Sequence, residues 1–212
     1  MNPAQASRSP LSPATAGCIL LLAIAPLGCS DNTKTISLNN PITTAAGGYP
    51  LALQLQTSAA PASFLSSVVV ILERQGQEFQ VPKLTYAFDT LEGGRAYSVT
   101  IDNTSHKAVG TNAVRASSGF GHETSVVGVS GKDVWEVLEI AKANGLAAFC
   151  SKVPEKDGVI LFCLESVDAS PVWHITADGT DPQGTLVQLR MNVNADTGEV
   201  SGRTFRQSAA PK

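Results

Sequence analysis

Charged residues are scarce in this sequence, and basic residues are not in excess. Only 16% of the 212 residues are charged, and the formal net charge is −3. A nucleic-acid-binding surface needs clustered lysine and arginine to neutralise phosphates, and the sequence has no such cluster. We therefore expect no nucleic-acid partner.

Sequence motifs of catalysis are also missing. The three histidines, His106, His122 and His174, lie far apart, and no G-x-S-x-G nucleophile motif occurs. No third or fourth metal ligand stands at a suitable spacing from Cys150 and Cys163. We therefore predict a protein that is not an enzyme and that has no cofactor and no metal site.

The apolar run near the amino terminus is short. Residues 18–25, CILLLAIA, are about half the length that crosses a bilayer as a helix. Arg8 precedes this run as the only charge in residues 1–28, and Gly28-Cys29 follows it. The arrangement predicts a secretory signal peptide over residues 1–28.

Gly28-Cys29 resembles the lipobox of bacterial lipoproteins, in which the cysteine is acylated and becomes the new amino terminus. The resemblance implies a lipid anchor, including palmitate, on Cys29, so that the membrane is a partner; a plain signal peptide cleaved nearby is the alternative. Ser30 resembles the signal for export to an outer membrane, which implies a cell-envelope location facing the periplasm. The polar residues that follow predict a flexible tether over residues 29–48.

Cys150 and Cys163 are the cysteines left for the folded part. Exported proteins meet an oxidising environment, and turn-forming residues 156–158 lie midway between the two cysteines. If residues 149–153 and 159–164 are paired strands, the two sulfurs come within disulfide reach. We predict a Cys150–Cys163 disulfide, with two buried thiols as the alternative.

Two stretches of the chain align at a constant offset of 92 residues: 98–110, SVTIDNTSHKAVG, and 190–202, RMNVNADTGEVSG. In both, apolar residues alternate with polar ones and then run into a polar turn, which is typical of a half-buried strand. The alignment indicates two copies of one unit.

The second copy is the clearer one. Ser130 is the candidate N-cap of a helix, with Asp133 three residues later. Apolar residues spaced i, i+3, i+4 and i+7 from Val134 predict a helix that ends at Asn144-Gly145. Three strands are predicted after it, over residues 159–164, 172–177 and 186–194.

The first copy follows the same predicted order. Its helix is placed near residues 50–57, with Pro50 in the first turn. Strands follow over residues 68–71 and 84–88. The alternative is an amphipathic helix over residues 63–75.

These elements predict an α+β fold of two tandem units, each with one helix packed on a three- to four-stranded antiparallel sheet. Whether the two sheets join at their edges or stack stays open. The predicted boundaries are a signal peptide over 1–28, a tether over 29–48, a first unit over 49–115, a linker over 116–129, a second unit over 130–206 and a disordered tail over 207–212.

Residues 133–144, 171–175 and 191–200 resemble a PepSY domain. The strings PVWHI and MNVNADTGEV match its aromatic-bearing strand and its strand ending in V-D-A-x-T-G-E-V. The first copy, about residues 45–115, resembles the family only through its alignment to the second. PepSY domains occur in propeptides and envelope proteins, so the resemblance implies inhibition or regulation of a peptidase.

The loops of the second unit carry acidic residues: Asp178, Asp181, Asp196 and Glu199. Solvated turn carboxylates are one explanation, and a contact for a basic partner or a weak calcium site is another. Together the features predict a non-catalytic, lipid-anchored envelope protein that binds a peptidase or another extracytoplasmic protein through exposed strand edges or through these acidic loops. The alternative is a structural accessory lipoprotein of envelope assembly.

Overall fold

In the computed structural model, which describes residues 33–90, 95–114 and 127–209, nine strands form one antiparallel sheet. The strands are β1 Lys34–Ser37, β2 Ser63–Gln75, β3 Glu78–Thr90, β4 Arg95–Asp102, β5 Lys107–Val114, β6 Gly158–Val167, β7 Ser170–Thr180, β8 Thr185–Asn194 and β9 Val200–Ala209. Their spatial order is β1-β5-β4-β3-β2-β6-β7-β8-β9. Helix α1, Ala45–Ala59, precedes β2, and helices α2, Val134–Ala141, and α3, Ala147–Lys152, precede β6.

The prediction of two tandem helix-on-sheet units is wrong. β2 pairs with β6, with Val69 opposite Cys163, so the strands of both halves belong to one continuous sheet. The helices are also unequal, because α1 has 15 residues whereas α2 has 8. Side-chain periodicity shows which face of a strand is buried but not which strand lies beside it, and this is why the sequence missed the β2–β6 pairing.

Individual strands follow the sequence pattern closely. The predicted strands over residues 68–71, 84–88, 159–164, 172–177 and 186–194 are confirmed as parts of β2, β3, β6, β7 and β8. The alternative of a helix over residues 63–75 is wrong, since β-branched Val68 and Val70 lie fully buried in β2. Core residues such as Tyr86, Phe162 and Trp173 alternate with half-buried residues, so one sheet face packs under the helices.

The aspartate Asp133 caps two helices at once. Its carboxylate accepts from Val134 N at 2.6 Å, and Glu136 completes a capping box at the start of α2. The same carboxylate accepts from Ala45 N at 2.9 Å and Ala46 N at 3.1 Å, at the start of α1. The expectation that Ser130 is the N-cap is therefore wrong, although the predicted helix from Val134 is confirmed.

Helix α1 begins earlier than predicted. Its N-cap is Thr44, whose hydroxyl accepts from Gly47 N at 3.0 Å. Pro50 therefore lies inside the helix and not in its first turn. A π-helical turn, Lys142–Leu146, joins α2 to α3, and the chain kinks there at Gly145, whose φ of 121° is a left-handed conformation that suits glycine.

The two aligned stretches form matching turns. Asp102 Oδ1 accepts from Thr104 N at 2.9 Å after β4. Asn194 Oδ1 accepts from Asp196 N at 3.0 Å after β8, at the same offset of 92 residues. Hydrogen bonds from the Ser105 backbone, chief among several causes, hold the pKa of Asp102 below its usual range. The repeat thus reproduces an Asx turn as well as a strand.

The ends of the folded part differ from the predicted boundaries. β1 and the start of α1 lie within the predicted tether over residues 29–48, and β9 extends to Ala209, inside the predicted tail. Of the predicted linker 116–129, only residues 127–129 are described, and Val127 N donates to Leu65 O at 3.0 Å. In the described part of the chain, no helix is both long and apolar enough to cross a bilayer.

Candidate binding surfaces

One face of the sheet is covered by helices, and the other, here called the open face, carries half-buried side chains. The residues of the open face alternate with core residues such as Tyr86 and Trp173. Strand registers place one row of its side chains straight across the sheet: Val109, Thr100, Thr85, Val69, Cys163, His174 and Asn192. From β5 to β2 the side chains of this row are apolar or carry a hydroxyl group. From β6 to β8 they are a thiol, an imidazole and an amide.

A polar cluster lies on the open face where β6, β7 and β8 run side by side. His174 Nδ1 is 2.9 Å from Asn192 Oδ1, and His174 Nε2 is 3.7 Å from Glu165 Oε2. Cys163 Sγ is 3.5 Å from Glu165 Oε1. The histidine and glutamate side chains are 27% and 28% exposed, so water reaches the cluster from one side.

An ion pair lies beside this cluster. Arg190 Nη2 is 2.7 Å from Asp178 Oδ2, and Gln188 Nε2 donates to Asp178 Oδ1 at 2.9 Å. All three residues lie on β7 and β8 and face the same side as His174. Asp178 is therefore neutralised within the sheet, which makes it a poor contact for a basic partner.

The sequence-predicted acidic residues do not come together. Asp178 and Asp181 lie at the carboxyl end of β7, whereas Asp196 and Glu199 follow the carboxyl end of antiparallel β8. At about 3.3 Å per strand residue, the two pairs are roughly 30 Å apart. Asp181 Oδ1 accepts from Gln183 N and Thr185 N in its turn. Within the described ranges, no group of three or more His, Cys, Asp or Glu residues has an arrangement that holds a metal ion.

The predicted disulfide is not formed. Cys150 and Cys163 are both thiols, and residues 149–152 belong to helix α3 instead of the expected strand. Cys163 lies on the open face beside Val69 and His174, whereas Cys150 packs against the core on the helix side. The hairpin on which the pairing depended is therefore wrong. Cys29 and His122 lie outside the described residues.

Helix α3 and β2 border a surface cleft of about 380 Å³. The Arg74 guanidinium lines it and donates to the carbonyl oxygens of Cys150 and Val153, at the end of α3. Burial raises the pKa of the Cys150 thiol, and Arg74 and Lys142 offset part of that rise. The arginine's terminal nitrogens therefore stabilise the carboxyl end of α3.

Strand β9 leaves one margin of the sheet unpaired within the described part of the chain. It pairs with β8 on one side only. Asn194 N donates to Glu199 O at 2.9 Å and Ala195 N to Pro171 O at 2.8 Å, so the even-numbered residues of β8 turn their backbone groups toward β9.

The backbone direction of each β9 residue follows from its partner in β8. Thr204 and Arg206 are the partners of Arg190 and Gln188, and they turn their backbone groups toward β8. The backbone groups of the intervening residue Phe205, and those of Gln207, therefore point to the outer edge. Gly202, with φ 61°, marks the irregularity in register that precedes this segment.

The sequence alone missed the polar cluster, and it predicted binding through exposed strand edges without identifying β9 as an edge. His174 lies in no sequence motif of catalysis, and Glu165 and Asn192 belong to no such motif either. The available signal was the position of His174 and Asn192 on the polar face of two predicted strands, whereas Glu165 lies one residue beyond the predicted strand over 159–164. No family model, no curated protein and no solved structure matches this chain, so the PepSY resemblance remains a prediction from the sequence.

Proposed function

We propose that this chain is a non-catalytic, lipid-anchored envelope protein that binds an extended segment of a protein partner along β9. The partner is a peptidase or another extracytoplasmic protein, whose activity the binding inhibits or regulates. The observation that carries the proposal is a ten-residue strand at the sheet margin with outward-facing backbone groups at Phe205 and Gln207. An extended peptide adds to such an edge by main-chain hydrogen bonds.

Charge supports a particular kind of segment. β9 carries Arg203 and Arg206 and no acidic residue between Val200 and Ala209. Both arginines are exposed. A pairing strand with acidic side chains is favoured, because opposite charges on neighbouring strands stabilise and like charges destabilise.

The position of Cys29 in the chain, shortly before the strand at the opposite margin of the sheet, supports a β9 edge that is accessible to a partner. Thr33 leads into β1 at one margin of the sheet, and β9 forms the opposite margin. Cys29 lies only about four residues before Thr33, a span of at most about 14 Å. Eight strand spacings of about 4.8 Å place β9 roughly 38 Å from β1. A lipid on Cys29 would therefore hold the β1 margin near the membrane and leave β9 accessible.

The test compares two substitutions at one position. In Gln207→Pro, the ring removes an outward N–H and blocks an added strand, while the bonds between β8 and β9 remain. Gln207→Ala keeps the backbone and is the matched control. Purified wild type and Gln207→Ala should capture the same envelope protein, and Gln207→Pro should capture at least roughly tenfold less, a change of about 1.4 kcal/mol.

Equal capture by Gln207→Pro and Gln207→Ala would exclude the edge as the binding site. Capture of no protein by any of the three would count against the binding function itself. Circular dichroism and tryptophan fluorescence of each variant check that the sheet is intact, since Trp173 is buried against the core.

A further inference from the structure

Four functional side chains form a continuous chain of contacts on the open face. Register pairs Cys163 with His174 and His174 with Asn192, and Glu165 lies two residues from Cys163 on the same strand face. The contacts run from Cys163 Sγ to Glu165 at 3.5 Å, from Glu165 to His174 Nε2 at 3.7 Å and from His174 Nδ1 to Asn192 at 2.9 Å. A thiol, a carboxylate and an imidazole are thus arranged in sequence.

The order of contacts assigns a role to each group. Asn192 Oδ1 accepts from Nδ1 of the imidazole, which leaves the lone pair on Nε2. That nitrogen is shielded from solvent and has no hydrogen-bond partner among the described residues. It faces Glu165, whose other oxygen receives the Cys163 thiol. The imidazole can therefore accept the thiol proton through the carboxylate, and a thiolate is the nucleophilic form of cysteine.

The geometry points to Cys163 as a site of reversible S-thiolation by low-molecular-weight disulfides, with His174 as proton acceptor and Asn192 as positioning residue. The cluster lies on a flat sheet face and not in a cleft. Attack on a disulfide needs an approach to one sulfur atom and no oxyanion-stabilising pocket. A disulfide fits this surface better than an acyl substrate.

The exchange is balanced without a further reagent. The Cys163 S–H bond breaks, and its proton passes through Glu165 to His174 Nε2. The thiolate attacks one sulfur of the disulfide, a new S–S bond forms on Cys163 and the original S–S bond breaks. The departing thiolate takes a proton from water and leaves as a thiol, and His174 returns its proton to water through Glu165, so Cys163 is oxidised and one half of the reagent is reduced.

The second cysteine provides an internal control. Cys150 is more exposed than Cys163, which is 5% exposed, and Arg74 and Lys142 lie near it. If exposure and nearby cations alone set the rate, Cys150 reacts first. If the polar cluster activates Cys163, Cys163 reacts first despite its burial.

The experiment treats the reduced full-length protein with oxidised glutathione at about pH 7.5 and follows the mixed disulfide on each cysteine by peptide mass mapping. Cys163 should be modified faster than Cys150 in the wild type. His174→Gln should lower the rate of mixed-disulfide formation on Cys163 by at least roughly tenfold, since a positioned base contributes about a hundredfold or more. The same variant should leave the rate on Cys150 unchanged.

The positioning role of Asn192 has its own test. Asn192→Ala should slow Cys163, whereas Asn192→Asp keeps an acceptor oxygen for Nδ1 and should restore most of the rate. Faster reaction of Cys150 in the wild type would overturn the proposal without any variant. An unchanged Cys163 rate in His174→Gln, or equal rates in Asn192→Ala and Asn192→Asp, would overturn the assigned roles.

Discussion

Replacing Asp133 with alanine should weaken both helix starts at once. The substitution removes acceptors for Val134 N, Ala45 N and Ala46 N, which lie 2.6, 2.9 and 3.1 Å away. Loss of an N-cap costs about 1 kcal/mol. Each further bond to a charged group contributes about 1.5 kcal/mol or less at this half-exposed position. We expect Asp133→Ala to lower the free energy of unfolding by about 2–4 kcal/mol.

Two other variants separate the contributions. Thr44→Ala removes a cap from α1 alone, at Gly47 N, and should cost about 1 kcal/mol. Asp133→Asn keeps one acceptor oxygen, so its loss in free energy of unfolding should lie between the losses in Thr44→Ala and Asp133→Ala. The assay is urea unfolding followed by tryptophan fluorescence, because Trp173 Nε1 donates to Lys132 O beside the cap. A loss in Asp133→Ala no larger than that in Thr44→Ala would refute the shared cap.

Substitutions at three further positions follow from the packing of the helices. Gly48→Ala should lower the free energy of unfolding, measured in urea, by about 1–3 kcal/mol, because the added methyl group meets the Tyr86 hydroxyl. A higher free energy of unfolding, the usual result of replacing glycine by alanine in a helix, would contradict this contact. Arg74→Ala should cost about 2 kcal/mol by removing the donors to the Cys150 and Val153 carbonyls, and Arg74→Lys should not restore this fully, because lysine lacks the planar fork. Burial first, and then the Asp133 charge, raise the pKa of Tyr86, so folding favours the neutral phenol. The contribution of the neutral phenol to the free energy of unfolding is therefore complete below pH about 10, and it is lost as pH rises beyond the pKa of an unfolded tyrosine. The stability advantage of wild type over Tyr86→Phe, measured in urea from about pH 8 to about pH 11.5, should therefore narrow at high pH, and a constant difference would contradict this burial effect.

Much of the local structure could be predicted from the sequence. Apolar and polar residues alternate over residues 186–194, and apolar residues from Val134 are spaced as on one face of a helix. Each pattern reflects burial within a single element, and both elements are confirmed as β8 and α2. The β2–β6 pairing could not be predicted, because register between distant strands depends on contacts that leave no local period. The continuous apolar run 68–71 was the one available hint, since a strand buried on one face only tends to alternate.

The candidate sites depended on the same missing information. Asp178 and Asp196 are as far apart in sequence as His174 and Asn192, but antiparallel strands carry the two aspartates toward opposite ends of the sheet. The register instead places Cys163, His174 and Asn192 in one row. Sequence separation alone therefore could not tell the two cases apart, and only strand register shows which side chains meet.

Hydrogen exchange of the β9 amides tests the central claim most directly. In the unbound protein, the amides of Thr204 and Arg206, which face β8, should exchange slowly, and those of Phe205 and Gln207 should exchange rapidly. Addition of the captured partner should slow exchange at Phe205 and Gln207 and leave the other two nearly unchanged. Partner binding that leaves the Phe205 and Gln207 amides exchanging at their unbound rates would contradict recognition by strand addition.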